Sequence, residues 1–427
     1  MTVALLALLI VLLAAAGAPL FALIAAVALL GFAALGIDLT IVLVEFYRLA
    51  DMPVLLSIPL FTLSGYLLSE SRAPQRMVRL TDALLGWMPG GLGIVAICAC
   101  ALFTAFTGAS GVTIVALGAL LYPALVQARY PERFSLGLVT TSGSLGLLFA
   151  PSLPLILYGV VVQQLGTTPP VSVDDLFLAG LLPGLLMVML LSLYSFLIGE
   201  RRRTDHKSLN RVEILAAFKD ARWELPLPII VLGGIYGGFF AASEAAAVTA
   251  LYVLIVTVLI RREISFKRLP EVMRESMVMV GAILMILGVS LALTNYLIDQ
   301  EIPTRLFEWI QGRVTSKYVF LALLNLFLLV LGMLLDIFSA TVIMVPIIVP
   351  IALSFGIDPV HLGIIFLANM QLGYFTPPVG MNLFIASIRF NKPVAELVRA
   401  CIPFFFILLF AVLLITYWPS LSLALVR

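Results

Sequence analysis

The stretch from residue 336 to 382 is apolar enough to lie in a bilayer, but it is interrupted where a membrane-spanning helix would be continuous. It starts with a polar group around Asp336, turns at Asp358, and is interrupted again at Pro377 and Pro378. Each proline lacks a backbone N–H and clashes with the preceding helical turn. The carbonyls freed by such a break must find partners at membrane depth. The pattern therefore predicts a binding site inside the bilayer, as in secondary transporters.

A second version of this stretch lies about 227 residues earlier, from 108 to 159. When the two versions are aligned, Pro151 falls on Pro378, and residues 74–76 lie near residues 303–305 at a similar offset. Two apolar runs share Leu and Ile by chance, but coinciding Gly and Pro positions are harder to obtain in that way. The sequence therefore predicts an internally duplicated transporter whose breaks lie at equivalent places.

The composition indicates an integral membrane protein. Hydrophobic residues make up 62% of the 427 residues and charged residues only 11%, compared with roughly 25% charged in a soluble domain. At about 20 residues per span, the chain has room for roughly a dozen membrane segments, some of them re-entrant. The net charge of +2 is too small to indicate nucleic-acid binding. The sequence contains no phosphate-binding Gly-x4-Gly-Lys-Ser/Thr loop, so ATP is not expected to drive the protein.

The order of apolar and charged stretches divides the chain into six parts. Residues 2–34 are interpreted as a retained membrane helix rather than a signal peptide, because the first basic residue is Arg48. Two stretches are rich in Lys and Arg, one at residues 200–225 and one within residues 226–276. Short loops of this composition face the cytoplasm, so both stretches are predicted to lie on that side. The predicted parts are N-terminal membrane helices of a scaffold (1–50), a first repeat (51–199), a basic cytoplasmic loop (200–225), connecting helices with a second basic stretch (226–276), a second repeat (277–400) and a C-terminal membrane helix (401–427). The first repeat is predicted to contain a re-entrant hairpin near 88–130 and a broken helix near 135–160. The second is predicted to contain a re-entrant hairpin near 319–355 and a broken helix near 360–388.

Five segments form a more specific combination: SIPLF at 57–61, GASG at 108–111, PSLP at 151–154, GIYGG at 234–238 with EAAA at 244–247, and PPVGMN at 377–382. Together they resemble the large membrane subunit of tripartite ATP-independent periplasmic (TRAP) transporters over nearly the whole chain. The hairpin tip at 107–111 departs from the family in having fewer Ser and Gly residues.

The resemblance implies an all-α polytopic protein of the bacterial inner membrane, with two inverted repeats that contain re-entrant hairpins and broken helices and work as an elevator. It also implies sodium-driven uptake of an organic anion, either a carboxylate or an acidic sugar. The implied partners are a small four-helix membrane subunit and a periplasmic substrate-binding protein, in addition to membrane lipids. The alternative left open is an organic-anion transporter that is proton-coupled or independent of a binding protein.

Polar residues beside the breaks form the candidate site. Sodium prefers several oxygen ligands, and hydroxyls with unwound carbonyls supply them without a fixed charge. The candidate sodium-binding residues are Gly108, Ser110, Gly111, Thr113, Ser144, Asp336, Ser339, Thr341, Gln371 and Thr376, within a wider polar population that includes Thr141 and Ser142. The candidate substrate-binding residues are Ser110, Pro151, Ser152, Asn369, Pro377, Pro378, Gly380 and Asn382. No cofactor and no transition metal are predicted, and each hydroxyl has the alternative of bonding its own helix backbone.

Two acids, Asp336 and Glu244, are enclosed by apolar sequence. Acids inside a membrane are costly and are usually paired or functional. For Asp336, at the second hairpin tip, a role in organising a cation and a helix-capping role stay equally open. For Glu244, which follows Ser243 at a possible helix start, capping is the preferred interpretation.

Two other functional classes compete with the transporter. GASG at 108–111 matches the Gly-x-Ser-Gly pattern of an intramembrane serine protease, which would require His361 to act as the base for Ser110. Broken, glycine-rich segments also build the selectivity filters of passive channels. The duplicated organisation fits alternating access better than a permanent pore, so the sequence predicts a transporter and not an enzyme.

Overall fold

The computed structural model describes residues 10, 12–13, 17–202, 210–314 and 316–426, and these residues form helices and turns with no β-strand among them. Seven of the described helices are long and apolar enough to cross a membrane, or nine if each strongly bent helix pair counts as one span. The beginning of the predicted first membrane helix, within residues 2–34, lies outside the described residues.

From residue 17 onward, the described part of the first half contains ten α-helices. They are α1 (Leu20–Ala34), α2 (Thr40–Ala50), α3 (Ser57–Glu70), α4 (Ala73–Leu85), α5 (Gly91–Thr107), α6 (Ser110–Ala116), α7 (Gly118–Gln127), α8 (Glu132–Ser142), α9 (Leu153–Gln164) and α10 (Val173–Arg202). We call α4 the first arm helix and α5 with α6 and α7 the first hairpin. The first break is the segment 143–152 between α8 and α9, which contains a short 3-10 turn at Leu145–Leu148.

Three helices connect the halves, and eight more follow. The connecting helices are α11 (Arg211–Asp220), α12 (Pro226–Tyr236) and α13 (Ala242–Ile260). The second half contains α14 (Leu269–Asp299), α15 (Ile302–Gln311), α16 (Lys317–Leu334), α17 (Ile337–Ser354), α18 (Pro359–Gly373), α19 (Met381–Phe390), α20 (Val394–Tyr417) and α21 (Ser420–Leu423). We call α15 the second arm helix, α16 with α17 the second hairpin, and the segment 374–380 the second break.

Equivalent contacts show that the two halves repeat one structural plan. A methyl group added at Gly146, in the first break, would lie 2.4 Å from the backbone nitrogen of Ala105 in the first hairpin. A methyl group added at Gly373 would lie 2.3 Å from the carbonyl carbon of Gly332 in the second hairpin. Gly146 and Gly373 are related by the offset of about 227 residues predicted from the sequence, and so are Ala105 and Gly332. These contacts confirm the predicted fold class, an all-α membrane protein of two repeats with hairpins and broken helices.

The two repeats are joined in the centre of the molecule. Tyr158 of α9 is completely buried, and its hydroxyl donates to the carbonyl of Pro359 at the start of α18, at 2.7 Å. A methyl group added at Gly363 would lie 2.5 Å from the Tyr158 ring, so α18 approaches this ring where it has no side chain. The hydrophobic core therefore continues from the first broken helix into the second.

The structure corrects one predicted feature of the connecting segment. Residues 200–225 were predicted as a loop, but α11 lies within them. Asn210 caps this helix by accepting a hydrogen bond from the Val212 N–H at 3.0 Å. Ala217 and Ala221 are buried against Leu80 of the first arm helix, so a small apolar face stabilises the helix within an otherwise charged sequence. Residues 203–209 of the predicted loop lie outside the described part of the chain.

Candidate ion and substrate site at the hairpin tips

The tip of the first hairpin is a sharp reversal between α5 and α6. Gly108 ends α5 with a φ of +65°, a left-handed conformation that glycine adopts without steric cost. Behind the tip, the hydroxyls of Thr104 and Thr113 lie 2.7 Å apart, and Thr104 donates to the carbonyl of Gly143 in the first break at 2.9 Å. The first tip therefore packs directly on the break of its own repeat.

A hydrogen bond joins the first hairpin tip to the second repeat. The Ser110 hydroxyl donates to Oδ1 of Asn382 at 2.8 Å, and Nδ2 of Asn382 donates to the Thr140 carbonyl at 3.3 Å. Gly111 allows this approach, because a methyl group added there would lie 2.6 Å from the side chain of Ile385. Candidate residues that are far apart in sequence thus meet at one place.

The tip of the second hairpin is organised by Asp336. Its carboxylate accepts hydrogen bonds from the backbone N–H groups of Phe338 and Ser339, each at 3.0 Å, and from the Ser339 hydroxyl at 2.5 Å. The capping role that the sequence left open is therefore confirmed, and a carboxylate is favourable at this helix start. Glu244 also caps its helix, because its carboxylate accepts from the Ala241 N–H at 2.9 Å.

Tyr374 connects the second tip to the second break. The Ile337 N–H donates to the Tyr374 hydroxyl at 3.1 Å, and the Asn382 N–H donates to the Tyr374 carbonyl at 2.8 Å. The Gly380 N–H also lies 3.3 Å from the Met333 carbonyl at the end of α16. A continuous series of contacts, which we call the tip-to-tip chain, therefore runs from Ser110 through Asn382 and Tyr374 to Ile337.

Several buried polar atoms near the breaks lack a hydrogen-bond partner. They are the hydroxyl oxygens of Thr107 and Ser142, both polar atoms of the Gln371 amide, and Oδ1 of Asn369. Each of these four residues is at most 1% exposed. An unpartnered buried polar group costs about 1–3 kcal/mol, so such groups are typical of places that hold an ion, a substrate or water. Ser142 and Asn369 occupy equivalent positions in the two repeats.

Other predicted hydroxyls bond their own backbone, which was the alternative for each of them. The donor hydroxyls and their acceptor carbonyls are Ser144 to Thr141 at 3.1 Å, Ser152 to Leu147 at 2.5 Å, Thr341 to Ile337 at 2.6 Å, and Thr376 to Leu372 at 2.5 Å. Each oxygen keeps a lone pair that can still face an ion. Pro151, Pro377 and Pro378 lie in the breaks, and the peptide bonds before Pro151 and Pro378 are cis.

Asn369 belongs to a different group of residues. Its Nδ2 donates to Oδ1 of Asn325 at 2.6 Å, and Asn325 in turn bonds the Thr416 hydroxyl at 3.1 Å. This network connects α18 with the second hairpin and with α20, away from the tip-to-tip chain. A role of Asn369 in substrate binding stays a prediction, and the contacts show a packing role.

The sequence did not identify Thr104, Thr107 or Tyr374 as site residues. Thr104 and Thr107 precede the glycine tip within about one helical turn, and this position next to the tip is the sequence feature that could have identified them. Tyr374 is the first residue of the second break, but its contact with Ile337 depends on a hairpin from a separate part of the chain.

The protease interpretation is not supported by the side-chain contacts. The Ser110 hydroxyl bonds Asn382, not a histidine. The ring nitrogens of His361 lie 3.2 Å from the Ser422 hydroxyl and 3.3 Å from the Thr416 carbonyl. His361 therefore joins α18 to the C-terminal helices and provides no base for Ser110.

Comparison with known proteins establishes the family. A family model described as "Tripartite ATP-independent periplasmic transporter, DctM component" matches residues 6–421. The chain belongs to this family. The C4-dicarboxylate TRAP transporter large permease protein DctM of Pseudomonas aeruginosa is 34% identical over 385 residues, which cover 90% of this chain and 88% of that protein. The sialic acid TRAP transporter large permease protein SiaM of Vibrio cholerae is 32% identical over 379 residues, covering 88% and 86%.

A solved structure is similar in fold. The YdaH transporter of Alcanivorax borkumensis, whose crystal structure is described as revealing an unusual topology, matches with a TM-score of 0.63 at 15% identity. The match covers 89% of this chain and 88% of that one. The TRAP permease relatives are transporter subunits, so the prediction that the chain is not an enzyme is confirmed. The protein is a multi-pass protein of the bacterial inner membrane.

Proposed function

We propose that this TRAP permease imports an organic anion together with sodium ions, by an elevator movement of the two hairpins and the two broken helices. The single observation that carries the proposal is the tip-to-tip chain, in which Ser110, Asn382 and Tyr374 bring the first tip, the second break and the second tip together. Since each hairpin also packs on the break of its own repeat, these elements are suited to move as one unit.

The chemistry of the site favours sodium over protons as the coupling ion. Most polar groups at the tips and breaks are hydroxyls, amides and backbone carbonyls, which do not titrate but suit a hard cation. The acid at the second tip, Asp336, is already engaged in three hydrogen bonds that cap α17. The buried oxygens of Thr107, Ser142 and Gln371 add neutral ligands without a partner of their own.

Helix starts at the breaks suit an anionic substrate. Helices begin after Ser152, Asp336 and Gly380, and the N-terminal end of a helix dipole favours negative charge. The names of the relatives specify C4-dicarboxylates in one case and sialic acid in another, and both are carboxylates. We therefore propose a carboxylate substrate that is held between Asn382 and the second break.

The membership of the family supports two partners for this chain, a small four-helix membrane subunit and a periplasmic substrate-binding protein that delivers the anion. Coupling to sodium supplies the driving force, because each positive charge that enters with the field gains about 2.3 kcal/mol per 100 mV. Two or more sodium ions for each carboxylate would therefore support steep accumulation.

The test is uptake of labelled organic acids into proteoliposomes that contain this chain, its small-subunit partner and the cognate binding protein. The panel includes a C4-dicarboxylate and sialic acid, and each is measured with an inward sodium gradient, an inward proton gradient, or neither. We expect uptake only with sodium and only with the binding protein present. Uptake driven by protons would overturn the sodium coupling, and uptake without the binding protein would overturn the tripartite arrangement.

A further inference from the structure

An apolar groove of about 630 Å³ runs between the second arm helix and the second hairpin. Leu306 and Trp309 line it from the arm helix, Phe320 and Phe327 from α16, and Ile347 from α17. Its volume falls in the range of small-molecule sites, about 300–1,000 Å³. The lining is apolar apart from Arg313, so the groove does not suit the organic anion that we propose as substrate.

The equivalent face of α5 in the first hairpin is covered by protein. By the repeat offset, Leu323 and Phe327 of this groove correspond to Ala96 and Cys100 of α5, which are at most 1% exposed. One helix that covers α5 is α10, whose Ser195 lies where a side chain at Gly93 would be. In the second hairpin, Leu323 and Phe327 are 49% and 43% exposed.

One end of the groove carries a positive charge. The Arg313 guanidinium lies 4.1 Å from the centre of the Trp309 ring and donates to the Trp309 carbonyl at 3.1 Å. None of the carboxylates in the described part of the chain forms an ion pair with it. Arg313 precedes Lys317, where a candidate membrane span begins. Trp beside a basic residue at the end of a span is typical of the level of the lipid headgroups.

The apolar lining extends from this charged end toward the middle of the span. From Phe320 to Phe327 the lining covers two turns of α16, about 10 Å at 1.5 Å per residue. An elongated hydrocarbon that carries a negative charge at one end matches both the shape and the charge. A glycerophospholipid has this arrangement, with its phosphate at the headgroup level and its acyl chains directed into the bilayer.

We propose that this groove binds one acyl chain of a glycerophospholipid whose phosphate contacts Arg313. The bound lipid covers the face of α16 whose counterpart in α5 is covered by protein.

The experiment is native mass spectrometry of the purified full-length chain, titrated in detergent with palmitoyl-oleoyl phosphatidylglycerol or with the matched diacylglycerol, which lacks the phosphate. Four variants are compared: Arg313→Gln at the charged end, Ile347→Trp in the groove, Arg305→Gln on the exposed part of the same arm helix, and Leu326→Trp on the exposed face of α16. Gel filtration establishes that each variant is folded before titration.

We expect one phosphatidylglycerol per chain, bound about five- to tenfold more tightly than diacylglycerol. Arg313→Gln removes this preference and Ile347→Trp weakens both lipids, while the two control variants bind like the wild type. Equal affinity for the two lipids in the wild type, or equal losses in Arg305→Gln and Arg313→Gln, would overturn the proposal. An adduct with the mass of a polypeptide that Ile347→Trp removes would show that a protein occupies the groove and would also overturn it. Arg313 is exposed, so its variant keeps the test decisive if Ile347→Trp does not fold.

Discussion

The two arm helices begin at equivalent places in the two repeats but differ in their surroundings. In the first arm helix Arg76 is 6% exposed, and it bonds Glu224 at 2.7 Å and Glu263 at 2.5 Å. Its counterpart in the second arm helix, Arg305, is exposed and pairs with no carboxylate in the described part of the chain. Both acids come from the connecting segment, so the repeat determines the helix and the segment outside the repeat determines how firmly it is held.

The connecting segment also brings into contact its two basic stretches, which are predicted to share one side of the membrane. Arg261 donates to the backbone carbonyl of Asp220 at 2.5 Å, and Arg79 pairs with Asp220 at 3.1 Å. In the described part of the chain, no carboxylate from this segment reaches the second arm helix, and a groove lies beside that helix. A duplicated sequence can thus give one arm helix held by buried ion pairs and one whose equivalent arginine is exposed.

The largest expected effect on the free energy of unfolding comes from replacing the arginine of the first arm helix, compared with the same change in the second arm helix. Arg76→Gln should lower the free energy of unfolding by about 3–5 kcal/mol, because it leaves two largely buried carboxylates without their partner. Arg305→Gln should change it by less than about 0.5 kcal/mol, since that side chain is exposed and has no ion pair. Unfolding in mixed micelles, followed by circular dichroism, measures both. Equal losses would contradict the difference between the arms.

The next effect depends on pH. Burial disfavours the Glu263 carboxylate, but hydrogen bonds from Arg76 and from the Arg72 backbone outweigh burial, so the pKa of Glu263 is below its ordinary value of 4.5. This carboxylate therefore stabilises the fold above pH 4.5, and its contribution is lost as the pH falls through the lowered pKa. Glu263→Gln should cost about 1.5–3 kcal/mol at pH 7.

The measurement is the unfolding free energy of wild type and Glu263→Gln between pH 7 and pH 3. The difference between the two proteins should shrink below pH 4.5. Glu271→Gln is the matched control, because its side chain is 57% exposed and pairs with Arg268 at the surface. A difference for Glu263→Gln that stays constant down to pH 3 would argue against the charged contact.

The smallest expected effect concerns a feature of both repeats, the close packing of a glycine on the backbone of a hairpin. Gly146→Ala and Gly373→Ala should each destabilise the protein by about 1–3 kcal/mol, because the new methyl group would overlap the backbone of the neighbouring hairpin. Gly281→Ala in α14 is the control, since no atom lies within 4 Å of the added methyl group. Thermal unfolding of the three variants measures the effect. A loss at only one of the two glycines would show that the packing of the two repeats is not equivalent.

The breaks were predictable from sequence because their causes are local. Pro151 and Pro378 interrupt apolar runs, and the offset between them located the second copy of the motif. The capping role of Asp336 was one of two open interpretations, because a capping carboxylate and its backbone partners are adjacent in the chain. By contrast, the sequence predicted a loop where α11 forms, since the contact of Ala217 with the first arm helix is not visible in a charged segment.

The contacts that build the site were not predictable in the same way. Ser110 and Asn382 are 272 positions apart, and only the packing of the two repeats brings them together. Tyr374 lies in the predicted second break but had no predicted site role, yet it joins the second tip to this break. Asn369 was placed among the substrate residues because it lies near a break, but its partner Asn325 is on the far part of a hairpin. Proximity in sequence to a break therefore identified the region and not the pairs within it.

The central claim is that the tips and breaks form a sodium site that depends on the bond between Ser110 and Asn382. The most direct measurement is the melting temperature of the purified chain as NaCl replaces KCl at constant ionic strength, for wild type, Ser110→Ala, Asn382→Ala, the double variant and the exposed control Ser354→Ala. An ion that binds only the folded state stabilises it by RT ln(1 + c/Kd), which grows with the ion concentration c. We predict a sodium-specific rise in melting temperature for wild type and Ser354→Ala, with a strongly reduced rise in each single variant and little further loss in the double variant. An equal rise in all five proteins, or no difference between sodium and potassium in the wild type, would contradict the account.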